Sequence, residues 1–353
     1  MKKLFLFFTL LPISAIAEID TDVIFNKALN SVRTQCSGIS DKLEPLKKMA
    51  GIGTAVNAIG TASGIGGVAS GIAKYNTDKN IAGEMGEKYS IEIMKEKLKA
   101  KELSAENQAA FENFRKIAPN INWKQLEQDL NKLSDNLDEQ ERQESIKELE
   151  KKEAELQNKI NENQAKSDKY GNVRTGLFAT NTATNIAGAI VSSKTKVDET
   201  LQEKITACTE SITKLRDATM QYRVENTSEN NVDLLPKAQR IVNACGEYQY
   251  IDTNSLNKLA KGATVSGAVG AITGPAATIS SISGTSNKLS DIDLKNSNAE
   301  KETNKIENTN TASNVLGGIT AATSLTGTIL NATQIKKIKQ IVSIADKCEE
   351  ALN

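Results

Sequence analysis

Cys36, Cys208, Cys245 and Cys348 are the residues of this chain with the most evident chemical potential. They lie too far apart for any Cys-x-x-Cys arrangement, and an even set is what a disulfide framework uses in an oxidising compartment. Histidine is absent from all 353 residues, which removes the usual general base, the usual zinc ligand and the physiological pH switch together. Gly64, Gly66 and Ala69 have the GxGxxA spacing of a dinucleotide fingerprint. That fingerprint follows a strand and opens a helix, whereas residues 58–63 continue a helical small-residue run, so these positions are read as packing glycines. Asp291, Asp293 and Asn296 lack the central glycine and terminal glutamate of a calcium loop and read as a polar turn. Carboxylate pairs such as Glu139 and Glu141 sit on charged helices with no apolar pocket to raise a pKa. The expectation is a protein without enzymatic activity, cofactor or metal.

The elements that carry the cysteines are more informative. Residues 49–73, 175–193, 262–287 and 308–335 hold no charged side chain and consist mainly of Gly, Ala, Ser and Thr. Cys36 precedes the first and Cys208 follows the second; Cys245 precedes the third and Cys348 follows the fourth. Sliding the chain so that Leu46 falls on Leu256 also pairs Thr54, Gly60, Gly64 and Ile72 with Thr264, Gly270, Gly274 and Ile282. A second self-alignment pairs Leu177, Ala183, Gly188 and Ile190 with Leu316, Ala322, Gly327 and Ile329. One architecture written twice is therefore expected, with a first module over residues 18–226 and a second over 227–353. The symmetric distances from cysteine to segment favour bonds between Cys36 and Cys208 and between Cys245 and Cys348, in antiparallel hairpins.

The first module alone contains a long insert, residues 74–174, rich in Glu, Lys, Gln and Leu. Trp123, Leu126, Leu130, Leu133 and Leu137 step by three and four, as a coiled-coil seam does, and Ile93, Met94, Leu98, Leu103, Phe111, Phe114 and Ile117 give a partner stripe. A charged helical hairpin with its tip near Pro119 is expected. No stretch alternates with the period of a strand, so the fold class is all-α, two related helical-hairpin modules built on small-residue helices.

Gly60 with Gly64 and Gly270 with Gly274 have GxxxG spacing, and over the small-residue segments the chain resembles glycine-zipper sequences. The resemblance implies closely packed helices, in water or in lipid alike. Gly274 followed by Pro275, with Gly64, Gly66 and Gly67 at the matching place, predicts a kink or short break midway along both leading segments.

Compartment and partners follow from the rest. Lys2 and Lys3, the apolar run from Leu4 to Leu11 and the ending Ala15, Ile16, Ala17 read as a signal peptide over residues 1–17. Lys plus Arg equals Asp plus Glu at 44 each, and aromatics are 4%, so no net field or stacking platform draws nucleic acid. The first expectation is an exported, disulfide-stabilised helical scaffold or binding protein of a bacterial-type cell envelope or the extracellular space, meeting a protein partner through the charged hairpin. The second is a membrane-active, glycine-zipper-like oligomer or pore component.

Overall fold

The computed structural model describes residues 21–100, 103–117, 122–125, 128, 132, 137–225, 234–293, 296 and 298–353. Residues 1–17, read from the sequence as a signal peptide, therefore lie outside the described part. Among the described residues the chain forms helices and turns and no strand. The helices are α1 (Thr21–Cys36), α2 (Ile39–Ala100), α3 (Ala105–Ile117), α4 (Glu139–Ser193), α5 (Glu199–Glu225), α6 (Leu234–Cys245), α7 (Thr253–Ser286) and α8 (Ala299–Leu352). All-α architecture is what the sequence predicts.

Two compact units divide these helices, and each half of the sequence contributes to both. One comprises Met1–Lys48, Lys196–Lys258 and Gln334–Asn353. It is built conventionally, with Phe25, Val32, Leu43, Leu215, Tyr222, Ile241, Tyr248 and Ile338 buried. Two disulfides staple it: Cys36 to Cys208 and Cys245 to Cys348, with Cα atoms 4.8 and 4.5 Å apart. These are the pairs that the symmetric spacing favours. Each closes a long loop, with sequence separations of 172 and 103, and the chain-entropy argument gives each about 5 kcal/mol. Gly38, at φ 67°, makes the left-handed turn between α1 and α2, and its N–H donates to Glu349 Oε1 at 2.8 Å.

The other unit comprises Met49–Thr195 and Leu259–Thr333. Part of it is the charged hairpin, where the end of α2 runs antiparallel to the start of α4. Asn163 donates to Glu84 at 2.8 Å, Lys88 to Gln157 at 2.8 Å, and Lys95 pairs with Glu153 at 2.6 Å. A capping box starts α4, with Asp138 accepting from the Glu141 N–H at 2.8 Å and Glu141 accepting from the Asp138 N–H at 3.1 Å. Where the stripe from Ile93 to Ile117 reads as one helix, α2 ends at Ala100 and a separate α3 begins at Ala105. Glu96 accepts from the Ser104 N–H at 3.1 Å, and α3 packs Ala110 and Phe111 with Tyr89, Ile93 and Trp123. A stripe of apolar residues looks the same whether its helix continues or folds back, because periodicity marks a buried face and not its partner. The expected tip near Pro119 and Leu126, Leu130 and Leu133 of the seam lie outside the described residues.

The remaining part is a four-helix bundle of residues 49–73, 175–193, 262–287 and 308–335. α4 and α8 lie side by side and parallel: Asn185 donates to Ser324 Oγ at 2.8 Å, and Asn331 to Ser192 Oγ at 3.1 Å, both across a separation of 139. These residues fall at the pairing of the second self-alignment. α2 and α7 run antiparallel to both, α2 meeting Asn181 and Ala321 at Gly64, and α7 meeting Thr182 at Gly274 while Ser266 donates to Thr323 O.

The expected midway break does not occur: α2 passes through residues 64–67 and α7 through Gly274 and Pro275 as continuous helices. Pro275 is on the exposed side of α7. An interior proline costs about 3 kcal/mol, and packing of α7 on both sides offsets it. A Cβ on Gly274 would stand 2.3 Å from Thr182 Oγ1, and Ser313 Oγ donates to Ala277 O at 3.2 Å. Local stop signals were outweighed by tertiary contacts on the preceding and following turns.

Candidate functional site: a polar interior inside an apolar girdle

Polarity is inverted in this bundle. Along residues 49–73 of α2 the exposed positions are Ile52, Ala55, Ala58, Ile59, Ala62, Ile65, Ala69 and Ile72, and the buried ones are Ala50, Gly53, Asn57, Gly60, Ser63, Gly64, Gly67 and Gly71. α7 repeats the pattern with Val265, Val269, Ile272, Ile279 and Ile282 outside and Ser266, Gly267, Gly270, Gly274 and Ser281 inside. Ile186 and Ile190 of α4, and Val315, Ile319, Leu325 and Ile329 of α8, are exposed as well. Ile272 is 76% exposed and Ile279 66%, while Asn57 is 1% exposed. In the same α2, Ile39 and Leu43 before the segment and Ile81, Ile93 and Leu98 after it are buried. The inversion is thus confined to the charge-free length of the helix.

Outward hydroxyls are satisfied within their own helices. Thr180 donates to Gly176 O at 3.0 Å, Thr326 to Ala322 O at 2.9 Å and Thr333 to Ile329 O at 2.8 Å, so no solvent is needed to pair them. The apolar windows of α7 and α8 reach a mean hydropathy of 1.2, yet only 28% and 33% of them are buried. A core helix in water would show the opposite.

Inside, asparagines sit on glycines. The Asn57 amide lies between α4 and α8: a Cβ on Gly188 would stand 2.1 Å from its Oδ1 and one on Gly327 2.6 Å from its Nδ2. Asn181 fills the notches at Gly60 and Gly64, Asn185 that at Gly270, Asn314 that at Gly71 and Asn331 that at Gly53. Asn185 Nδ2 donates to Asn181 Oδ1 at 2.8 Å, and Ser324 Oγ donates to the same oxygen at 2.8 Å. The missing Cβ atoms give room for an amide where a larger side chain would separate the helices. Among the described residues, however, both amide atoms of Asn57, Nδ2 of Asn181 and Oδ1 of Asn185 have no hydrogen-bond partner. Each such group costs about 1–3 kcal/mol when buried. Phe178 interrupts the column; it is the one aromatic in the four segments and fits the notches of both Gly67 and Gly317.

A charged layer closes the interior at the hairpin end. Arg174, fully buried, donates through Nε to Ser281 Oγ at 2.8 Å and through Nη2 to Asn310 Oδ1 at 2.9 Å. Asn310 donates in turn to Asp78 at 3.3 Å, Ser167 donates to the same carboxylate, and Lys74 pairs with it at 2.6 Å. Lys74 thus holds the carboxylate directly and Arg174 is linked to it through Asn310, while Arg174 Nη1 has no partner among the described residues.

The sequence singled out Gly60, Gly64, Gly270 and Gly274, and the structure places all four at helix contacts of the bundle. It did not single out Gly53, Gly71, Gly267 or Gly317, which fill the same role, nor Arg174, and it read Gly67 as a stop signal where the structure makes it a packing notch. A Cβ on Gly267 would meet Ala189 N at 2.8 Å and Asn185 O at 2.9 Å, both backbone, which makes it a closer approach than either GxxxG pair provides. The signal that could have found it is the register of the repeat, since Gly267 continues the inward stripe of Gly270 and Gly274. Gly64 to Ala69 form a continuous part of α2, with Gly64 and Gly67 inward and Ile65 and Ala69 outward. No family model matches the chain, and no curated protein or solved structure matches it.

Proposed function

We propose that this chain is an exported, disulfide-stapled protein of the cell envelope, held in a lipid bilayer by its small-residue bundle and offering the charged hairpin as a contact arm for a protein partner. The inversion of polarity carries this reading. In water the girdle of isoleucine, valine and alanine would lose the burial that stabilises a bundle, whereas in lipid only packing and hydrogen bonds hold helices together, and small residues and amides supply both. The girdle faces outward on all four helices, so one protein partner could not cover it, while acyl chains can. At about 1.5 Å per residue the shortest segment, residues 175–193, spans about 28 Å, close to the hydrocarbon thickness of about 30 Å. Lys48, Lys194, Lys261 and Lys336 bound the segments at one end, and Lys74, Arg174, Lys288 and Glu307 at the other.

The arm is the part suited to a protein partner. Its exposed faces alternate in charge, as solvated helices do, and the second half of the sequence has no counterpart of comparable length.

Expression of the full chain followed by alkaline carbonate extraction tests the reading. The mature protein is expected in the pellet, released by detergent only. Recovery as a detergent-free soluble monomer would overturn membrane residence and favour a soluble exported scaffold.

A further inference from the structure

Resting on the membrane reading, a second role belongs to the bundle interior. We propose that the asparagine column is a closed path for small inorganic anions such as chloride, plugged by Phe178 and biased toward negative ions by Arg174. Three observations converge on it.

First, amides that only packed helices would not be left half-paired. Asn57 is 1% exposed, neither of its amide atoms has a hydrogen-bond partner among the described residues, and it lies at the centre of the bundle between Gly188 and Gly327. Asn181 and Asn185, fully buried one layer away, each keep an unpartnered amide atom as well. In a bilayer, polar groups are kept where they pair or where they line a way for water or ions. Alanine or serine in these glycine notches would pack as closely without stranded donors. Neutral amides offer N–H groups to a dehydrated anion without trapping it by charge.

Second, the column is interrupted by an aromatic ring. Phe178 stands between the Asn314 level and the Asn181 level and closes against Gly67 of α2 and Gly317 of α8 at once. A ring of apolar contacts within a polar path stops conduction by excluding water. Withdrawal of one side chain from two glycine notches would join the polar levels.

Third, the sign of the selectivity is set at the hairpin end. Asp78 is paired directly by Lys74, Arg174 reaches that carboxylate only through the Asn310 amide, and the Arg174 Nη1 group has no partner among the described residues. From that layer to the far end of the segments the four helices hold no ionisable side chain. An excess positive charge beside a neutral path draws anions and rejects cations.

The test reconstitutes the full chain, disulfides intact, into neutral phosphatidylcholine vesicles containing a chloride-quenched dye, with vesicle flotation run on the same samples. Wild-type vesicles are expected to quench slowly. Phe178→Ala should float, keep its helical circular dichroism and quench at least tenfold faster, without release of calcein. Adding Asn57→Leu to that variant should restore the slow rate, and adding Arg174→Gln should abolish the preference for chloride over potassium. Phe178→Leu, which keeps an apolar side chain, gives an intermediate rate and serves where the alanine variant does not insert. An inserted Phe178 variant as tight as the wild type, calcein release in parallel with chloride, or a preference for potassium would each overturn the path while leaving membrane residence standing. Failure of the wild type to float would overturn membrane residence itself.

Discussion

Tyr248 shows how single residues act in the stapled unit. Its ring is 1% exposed and its hydroxyl has no hydrogen-bond partner among the described residues. Burial, with the carboxylates of Glu349 and then Asp346 adding to it, holds the phenol well above its ordinary value of about 10. A raised pKa stabilises the fold fully below the unfolded value, and that stability is lost as pH rises from there through the folded value. The urea midpoint of the disulfide-intact protein in detergent should therefore be level up to about pH 10 and fall above it. Tyr248→Phe removes an unmatched buried hydroxyl and should be neutral or stabilising by up to about 1 kcal/mol, with a flatter alkaline limb. Equal alkaline slopes in the two proteins would show that Tyr248 does not carry the effect. Cysteine pairing was legible at this scale because it follows from distances along the chain. The buried asparagines were not, since a charge-free segment names its apolar residues without saying which face they occupy.

For the helices, period and polarity gave different amounts of information. The step of three and four among Val265, Val269, Ile272, Ile279 and Ile282 reads as an apolar seam in the sequence, and in a soluble bundle a seam packs inward. Here the seam is the outer face, and the glycines between its residues make the contacts. Helix existence was therefore readable and helix orientation was not, because a hydrophobic period is silent about whether water or lipid surrounds it. The break expected at Pro275 does not form, because contacts on both neighbouring turns hold α7 in one helix. Glycines divide accordingly. Gly267→Ala sets a Cβ against backbone of α4 at under 3 Å and should cost about 2–3 kcal/mol or more, as overpacking does. Gly51, whose Cβ would meet nothing within 4 Å, should gain about 0.5–1 kcal/mol on substitution by alanine from helix propensity alone. Thermal unfolding in detergent separates the two, and equal shifts would mean that α7 does not approach α4 as described.

Over the whole molecule, under the proposed membrane residence, chain direction decides which compartment each part would meet. α2 and α7 run antiparallel to α4 and α8, so a bilayer around the bundle is crossed alternately. The cysteines lie before the first crossing, between the second and third, and after the fourth, so all four meet the same compartment, as two disulfides between them require. Residues 74–174 follow one crossing and precede the next, so under the proposal the arm belongs to the opposite compartment. Lysines flank the segments at both ends, so the positive-charge rule gives no orientation, and under the proposal it comes from the disulfides instead, whose side would be the oxidising one. With the native thiols consumed, single introduced cysteines report on sidedness. Glu203→Cys, between the second and third crossings, should react with an impermeant maleimide added to intact spheroplasts. Glu144→Cys, in the arm, should react only after the membrane is opened. Both positions are exposed on their helices, so protection of Glu144→Cys would reflect the bilayer and not burial. Equal labelling of both in sealed spheroplasts would refute the four crossings, and with them the reading of the girdle as a lipid-facing surface.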